Sequence, residues 1–81
     1  MKIDSVPRAL DALESAPIIV GKAFFKQVGF FGANLKHPSL HAKQYDESRD
    51  LWQARVNRDW RFYFVITGDT YVITDIIPHP E

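Results

Sequence analysis

From Leu51 to Ile77 the chain reads LWQARVNRDWRFYFVITGDTYVITDII, three β-type segments joined by two short turns. Successive side chains of a strand point to opposite faces. Trp52, Ala54, Val56, Trp60, Phe62, Phe64, Ile66, Tyr71 and Ile73 therefore share one face, while Gln53, Arg55, Arg61 and Tyr63 share the other. The run predicts a small sheet with an apolar face for the core and a second face that carries arginines.

Turn chemistry sets the register. Thr67-Gly68-Asp69-Thr70 places glycine first in a two-residue loop, as a type II′ hairpin requires. That turn sets Val65 opposite Val72, Tyr63 opposite Thr74 and Arg61 opposite Ile76. For the earlier turn, a three-residue loop over 57–59 pairs Val56 with Trp60, Ala54 with Phe62 and Arg55 with Arg61. A two-residue loop would pair Arg55 with Phe62 and mix the faces, so the longer loop is preferred. Two like charges directly opposite on adjacent strands repel. Either solvent and nearby acids such as Asp59 relieve them, or a polyanion does.

The upstream half is helical. Ser5 stands as N-cap before Pro7, and Leu10 and Leu13 follow at helical spacing, giving a helix over about residues 6–15. Ala16-Pro17 breaks it, and Pro17 opens a second helix bearing Ile18, Ile19, Val20, Ala23, Phe24, Phe25 and Val28. Lys22, Lys26 and Gln27 form its polar edge, the breadth of the apolar stripe implies cover on most sides, and Gly29, Gly32 and Asn34 mark its end. KHPSLHAKQYDESRD, from Lys36 to Asp50, is polar and broken by Pro38. It reads as an extended connector with one short edge strand.

Eighty-one residues allow one domain, 1–81, and a hydrophobic fraction of 46% with 14% aromatic supports a compact core. With no cysteine there is no disulfide framework, which fits a reducing cytosol. MKIDSVPRAL has no apolar stretch of a signal peptide, so a soluble, cytoplasmic protein is expected. Ten Lys+Arg balance ten Asp+Glu, which argues against a globally basic nucleic-acid binder. The distribution is uneven, however. Between Glu14 and Asp46 there is no acid, while Lys22, Lys26, Lys36 and Lys43 all fall there. Three scattered histidines lack ligand-pair spacing and no glycine-rich phosphate loop is present, so neither a metal nor a nucleotide cofactor is expected.

HPSLHAKQY, followed by LWQARVNRDWRFYFVITGDTYVITDIIPH, resembles the RelE/ParE superfamily of small toxins from toxin–antitoxin pairs. The likeness is close over about half the chain and extends through the helix–helix–sheet order to nearly all of it. It implies an α+β fold, an N-terminal helical hairpin packed on a twisted three- to four-stranded antiparallel sheet. It also implies a cognate antitoxin as partner and, in the RelE branch, a ribosome-dependent mRNA endoribonuclease that inhibits translation. The ParE branch poisons DNA gyrase instead, and a catalytically degenerate member would only bind an antitoxin. Fold alone does not choose among these.

Metal-independent RNA cleavage needs a base for the 2′-hydroxyl, an acid for the leaving 5′-oxygen and cations for the phosphorane. Arg61 matches the arginine that RelE-type nucleases place at the start of the central strand, and its planar fork of donors suits a phosphate. His79 corresponds to a C-terminal histidine of several members, and it could curl back over the end of the sheet that holds Arg61. Histidine suits acid or base work near neutrality. For the base the resemblance offers Glu47, a few residues before the strand tryptophan, or else Lys43 or His41 in the connector. Arg55, Lys43, Lys36 and His37 are candidates for phosphate contact. Tyr63 or Trp52 could stack on a base, although alternation sends Trp52 to the core. Many active members run on past the last strand to an aspartate and a tyrosine, where this sequence reads His79-Pro80-Glu81.

Overall fold

The computed structural model describes residues 2–79. Strand β1 (Lys2–Ser5) leads into helices α1 (Pro7–Ser15) and α2 (Ile18–Ala33). A single 3-10 turn at Pro38–Leu40 then precedes β2 (Lys43–Asp46), β3 (Leu51–Arg55), β4 (Trp60–Thr67) and β5 (Thr70–Pro78). The α+β class and the hairpin-on-sheet arrangement are as expected. The sheet, however, has five strands in the order β1-β5-β4-β3-β2, and β1 runs parallel to β5, so it is mixed rather than antiparallel. KIDS offers only one apolar residue in four, too little alternation to announce a strand. Among the described residues no helix is long and apolar enough to cross a membrane.

The helix boundaries follow local chemistry. Pro7 occupies the first turn of α1, where its missing N–H costs nothing, but Val6 rather than Ser5 takes the cap position and makes no side-chain bond. In α2, Gly29 and Gly32 lie inside the helix, and Asn34 caps it through its N–H to the Phe30 carbonyl at 2.8 Å. At Gly32 a Cβ would sit 3.3 Å from Ile3 Cδ1, so the glycine lets α2 close down on β1.

Val20, Phe24, Gln27 and Phe31 form the buried stripe of α2. Phe31 meets Phe62 and Phe64 edge-on at 5.3 and 4.6 Å and stacks on Tyr71 at 4.2 Å, while Phe24 meets Phe62 at 5.5 Å. Phe31, Phe62 and Phe64 are fully buried. Each contributes roughly 1.5–3 kcal/mol by leaving water. The apolar face thus holds the residues assigned by alternation, with Trp52, Trp60 and Ile66 packed at its margin.

Both turns fold as their sequences require. Gly68 has φ of 59° and Asp69 is not among the positive-φ residues, the signature of a type II′ turn between Thr67 and Thr70. Ala54 pairs with Phe62 and Arg55 with Arg61. Val65 pairs with Val72, but Tyr63 pairs with Asp75 and Arg61 with Ile77, one residue later than the uninterrupted register. The cause is a β-bulge: Thr74 is the extra residue on β5 between the Phe64–Ile73 and Tyr63–Asp75 pairs. Its insertion switches the parity of β5. Ile76 enters the core at 3% exposure, while Asp75 and Ile77 join the arginine face.

This parity has a direct test in chemical denaturation. Ile76→Ala is expected to cost about 2–5 kcal/mol, as a buried truncation does, and Ile77→Ala, on the half-buried opposite face, clearly less. The reverse ranking would refute the bulge.

Candidate active site

The face of the sheet away from the helices carries the arginines. Arg55 at the end of β3 and Arg61 near the start of β4 are direct cross-strand partners. Antiparallel pairing brings such residues to about 4.5–5.5 Å between Cα atoms. The Arg61 guanidinium is held by the turn between them, its Nη1 donating to the carbonyls of Asn57 at 2.8 Å, Trp60 at 2.9 Å and Arg58 at 3.3 Å. Partial burial, and then the neighbouring Arg55 charge, pull its pKa below the ordinary arginine value. Arginine nevertheless stays protonated in proteins. Arg55 Nε is buried with no hydrogen-bond partner. Among the described residues neither guanidinium has a carboxylate within ion-pair distance; Asp59 acts on Arg61 only at longer range, opposing part of the downward shift.

An open cleft of about 380 Å³ surrounds this pair, lined also by His41, Ala42, Lys43, Gln53 and His79. Among the described residues its lining contains no acid. The bulge accounts for His79. With Arg61 opposite Ile77, a residue two positions beyond Ile77 lies on the same face as Arg61, whereas pairing with Ile76 would have left it an odd step away. His79 therefore does not curl back. It continues the ladder, its N–H donating to the Asp59 carbonyl at 2.7 Å, and stays exposed. His41 enters from the β2 side in a left-handed conformation with φ of 47° at the end of the 3-10 turn, which redirects the connector into β2. The two imidazoles thus flank the arginine pair from opposite sides of the strand order.

The connector is fixed by a buried side chain. Gln27, on the core stripe of α2 and only 6% exposed, donates through Nε2 to the carbonyls of Ser39 at 3.0 Å and Arg55 at 2.9 Å. Its Oε1 accepts from the Ser39 hydroxyl at 3.3 Å. Gln27 is therefore a bracket between helix, connector and β3, not part of a polar edge. His37 serves the same structure. It stacks on Phe30 at 4.0 Å and its Nδ1 accepts from the Ser39 N–H, which fixes the 3-10 turn.

No protein-family model matches the sequence, and no curated protein matches it significantly. Solved structures do match. The YoeB/ParE toxin from Agrobacterium tumefaciens superposes with a TM-score of 0.81 at 12% identity, covering 99% of this chain and 100% of that one. An archaeal RelE–RelB complex from Pyrococcus horikoshii OT3 gives 0.78 at 16% identity over 95% and 92%. A heterotetrameric YoeB–YefM toxin–antitoxin complex from Staphylococcus aureus gives 0.76 at 12% identity over 99% and 98%. The chain has the RelE/ParE toxin fold.

On that fold, Arg61, Arg55, Lys43, His41 and His79 share one cleft. The other candidates lie elsewhere. Glu47 is exposed in the turn between β2 and β3, at the Leu51 end of β3 and so about 13 Å of strand away from Arg55. It does not line the cleft, whereas His41 and Lys43 do. Lys36 lines an adjoining hollow with His37, His41 and Trp52. Tyr63 is 9% exposed, its hydroxyl bonded to Gln53 Nε2 at 2.8 Å, so it offers no free ring for stacking. Trp52 packs on Phe64 at the edge of the core. The exposed ring is Tyr45 of β2, 55% accessible and edge-on to Tyr63 at 5.2 Å. Alternation within KQYD places Tyr45 on the Lys43 face, a signal present in the sequence.

Replacing Gln27 by leucine keeps its bulk but leaves two carbonyls without their donor, a loss of roughly 1–3 kcal/mol. Urea unfolding is expected to register it, and amide shifts of residues 38–42 and 55 should move together. Changes confined to α2 would contradict the bracket.

Proposed function

We propose that the protein is the toxin of a toxin–antitoxin pair and cleaves mRNA on the ribosome without a metal cofactor. The observation that carries this reading is the cleft in which two arginines lie between two histidines and, among the described residues, no acid contributes to the lining and no carboxylate pairs with either arginine. Such a cleft attracts a phosphate and repels a hard cation, which would seek carboxylate oxygens. In transesterification the RNA 2′-oxygen attacks the adjacent phosphorus as the P–O5′ bond breaks, leaving a 2′,3′-cyclic phosphate and a 5′-hydroxyl. Proton removal and proton donation occur at opposite apices of the phosphorane. Imidazoles on either side of the arginine pair suit those two places, one taking the 2′-hydroxyl proton and the other protonating the 5′-oxygen. Arg61, its guanidinium already held by turn carbonyls, and Arg55, set beside it by strand pairing, neutralise the equatorial oxygens. Lys43 adds charge to the phosphate path.

On inducible expression the wild type is expected to cut mRNA at ribosomal A-site codons. Arg61→Ala should lose about 10²–10³-fold of that cleavage, and His79→Ala and His41→Asn at least about 10²-fold each. Asparagine is chosen at His41 because it tolerates the left-handed backbone. Growth arrest with intact mRNA and altered plasmid supercoiling would replace this reading with gyrase inhibition. Absence of arrest would indicate a member that only binds its antitoxin.

The antitoxin reading rests on the outer face of α2. Ile18 is 80% exposed, Ile19 72% and Phe25 67%, with Lys22 and Lys26 among them, so the helix is uncovered on the side away from the sheet. Bulky apolar side chains grouped in this way mark an interaction surface. Interspersed lysines select an acidic amphipathic helix over a second copy of the same basic face. A Cβ at Gly29, on this stripe, would meet nothing within 4 Å. Gly29→Gln should therefore leave the monomer as stable or up to about 1 kcal/mol more so. The same substitution, or Phe25→Ser, should weaken binding of a coexpressed acidic antitoxin from an adjacent reading frame at least tenfold. Unchanged affinity in both would move the interface elsewhere.

A further inference from the structure

We propose that a second cleft, of about 440 Å³ on the arginine face, is a subsite for one nucleobase of the bound RNA strand, with Tyr45 as its stacking surface. The proposal rests on the RNA-cleavage reading but not on the residues that carry it. Tyr63, Leu51, Val65 and Ile77 line the cleft with Tyr45, and Arg8, Arg49 and Asp75 contribute its charged groups. Tyr63 lies two residues beyond Arg61 on β4, about 6.6 Å along the strand and on the same face. The two clefts are thus adjacent, and a strand whose phosphate sits on Arg61 passes over the second.

The chemistry of the lining suits a base. Tyr45 presents an open ring on the edge strand and is held at 77° against a Tyr63 that its own bond to Gln53 immobilises, so little side-chain freedom remains to be lost on stacking. Aromatic platforms of this kind bind bases of any sequence. Discrimination comes from Asp75. Its Oδ2 meets Arg8 Nη2 at 3.1 Å and its Oδ1 accepts the Ile76 N–H at 2.9 Å. Each carboxylate oxygen retains a lone pair, which can accept from an exocyclic amino group. Uracil carries no exocyclic amino group, and its one donor, N3–H, is flanked by two carbonyl oxygens that the carboxylate repels. Arg49 is tethered by Asp46, Nε to Oδ2 at 2.7 Å, and the Asp46 carboxyl is held at about 2 by its bonds from Ser48 and Arg49. Arg8 and Arg49 are 79% and 69% exposed, so each keeps donors free for the phosphate that follows the base.

The test uses the full chain and uncleavable 2′-O-methyl tetraribonucleotides, followed by chemical-shift titration. Wild type should bind adenosine- or cytidine-containing oligomers more tightly than oligouridine. Tyr45→Ala is expected to weaken all of them roughly ten- to a hundredfold, Tyr45→Trp to restore binding, and Asp75→Asn to erase the preference. Unchanged thermal unfolding of Tyr45→Ala, an exposed position, shows that the fold is intact. If Tyr45→Ala binds as wild type while Arg61→Ala does not, the subsite is refuted and the nuclease reading stands. If wild type binds none of the oligomers, the subsite is refuted, and the nuclease reading is decided by the A-site cuts alone.

Discussion

A five-stranded sheet covered by helices on one face alone cannot let β5 alternate without interruption, because its two halves have different obligations. Near the Gly68 turn, Tyr71 and Ile73 must face the helices; at the far end, Ile76 must. These positions have opposite parity, and Thr74 reconciles them. Were the same sequence to alternate without a bulge, the helices would meet Asp75, and an unpaired carboxylate in an apolar core costs far more than a local kink. The same insertion governs the open face. It places Asp75 beside Tyr63, Ile77 beside Arg61, and His79 in the arginine cleft. One residue with no chemistry of its own therefore decides which side chains belong to the core and which to the site.

Gln27 supplies the second tie. The bulge orders the β5 side of the cleft, whereas the β2 side depends on a connector with little hydrophobic content, and its anchor is a buried amide whose donor and acceptor are both engaged. A leucine there would pack but hold nothing. Because Gln27 also bonds the Arg55 carbonyl, the helix fixes the backbone at the point where two like charges are forced together. Carbonyl dipoles from the Asn57–Trp60 turn offset part of that repulsion. What remains is an electrostatic preference for an anion, built before any anion arrives.

The legible parts of this molecule were those in which a single local rule acted. Alternation named the apolar face, and the glycine of the Thr67–Thr70 loop fixed the turn type and the register as far as the Phe64–Ile73 pair. The register failed one pair later, because a bulge at Thr74-Asp75 has no glycine to announce it and its reason is tertiary. Gln27 and the outer face of α2 were misread for a different cause. Residues 20, 24, 27 and 31 follow the i, i+4, i+7, i+11 spacing of one buried stripe, and 18, 22, 25 and 29 follow the same spacing on the exposed one. Periodicity holds both answers, whereas residue polarity alone points the other way. β1 was invisible because a short parallel edge strand depends on β5 for its existence, not on its own sequence.

Structural likeness at 12–16% identity establishes how the chain is folded, and the activity must be argued from the groups this chain places on the fold. Those groups explain how a protein of zero formal charge can present basic surfaces at all. The acid-free stretch from 15 to 45 contributes lysines to the outer face of α2 and then His41 and Lys43 to the cleft, while carboxylates are retained in turns and ion pairs. The two basic regions lie on opposite sides of the sheet, since α2 covers the core face and the arginines occupy the other. A partner that grips α2 does not, by that contact, cover Arg55 or Arg61. To occupy both, its chain must pass an edge of the sheet, and β2 is the edge strand that carries Lys43 into the cleft. Backbone pairing along Lys43–Asp46 would deliver such a chain beside His41 and Lys43, so the open strand edge is what joins the two basic surfaces.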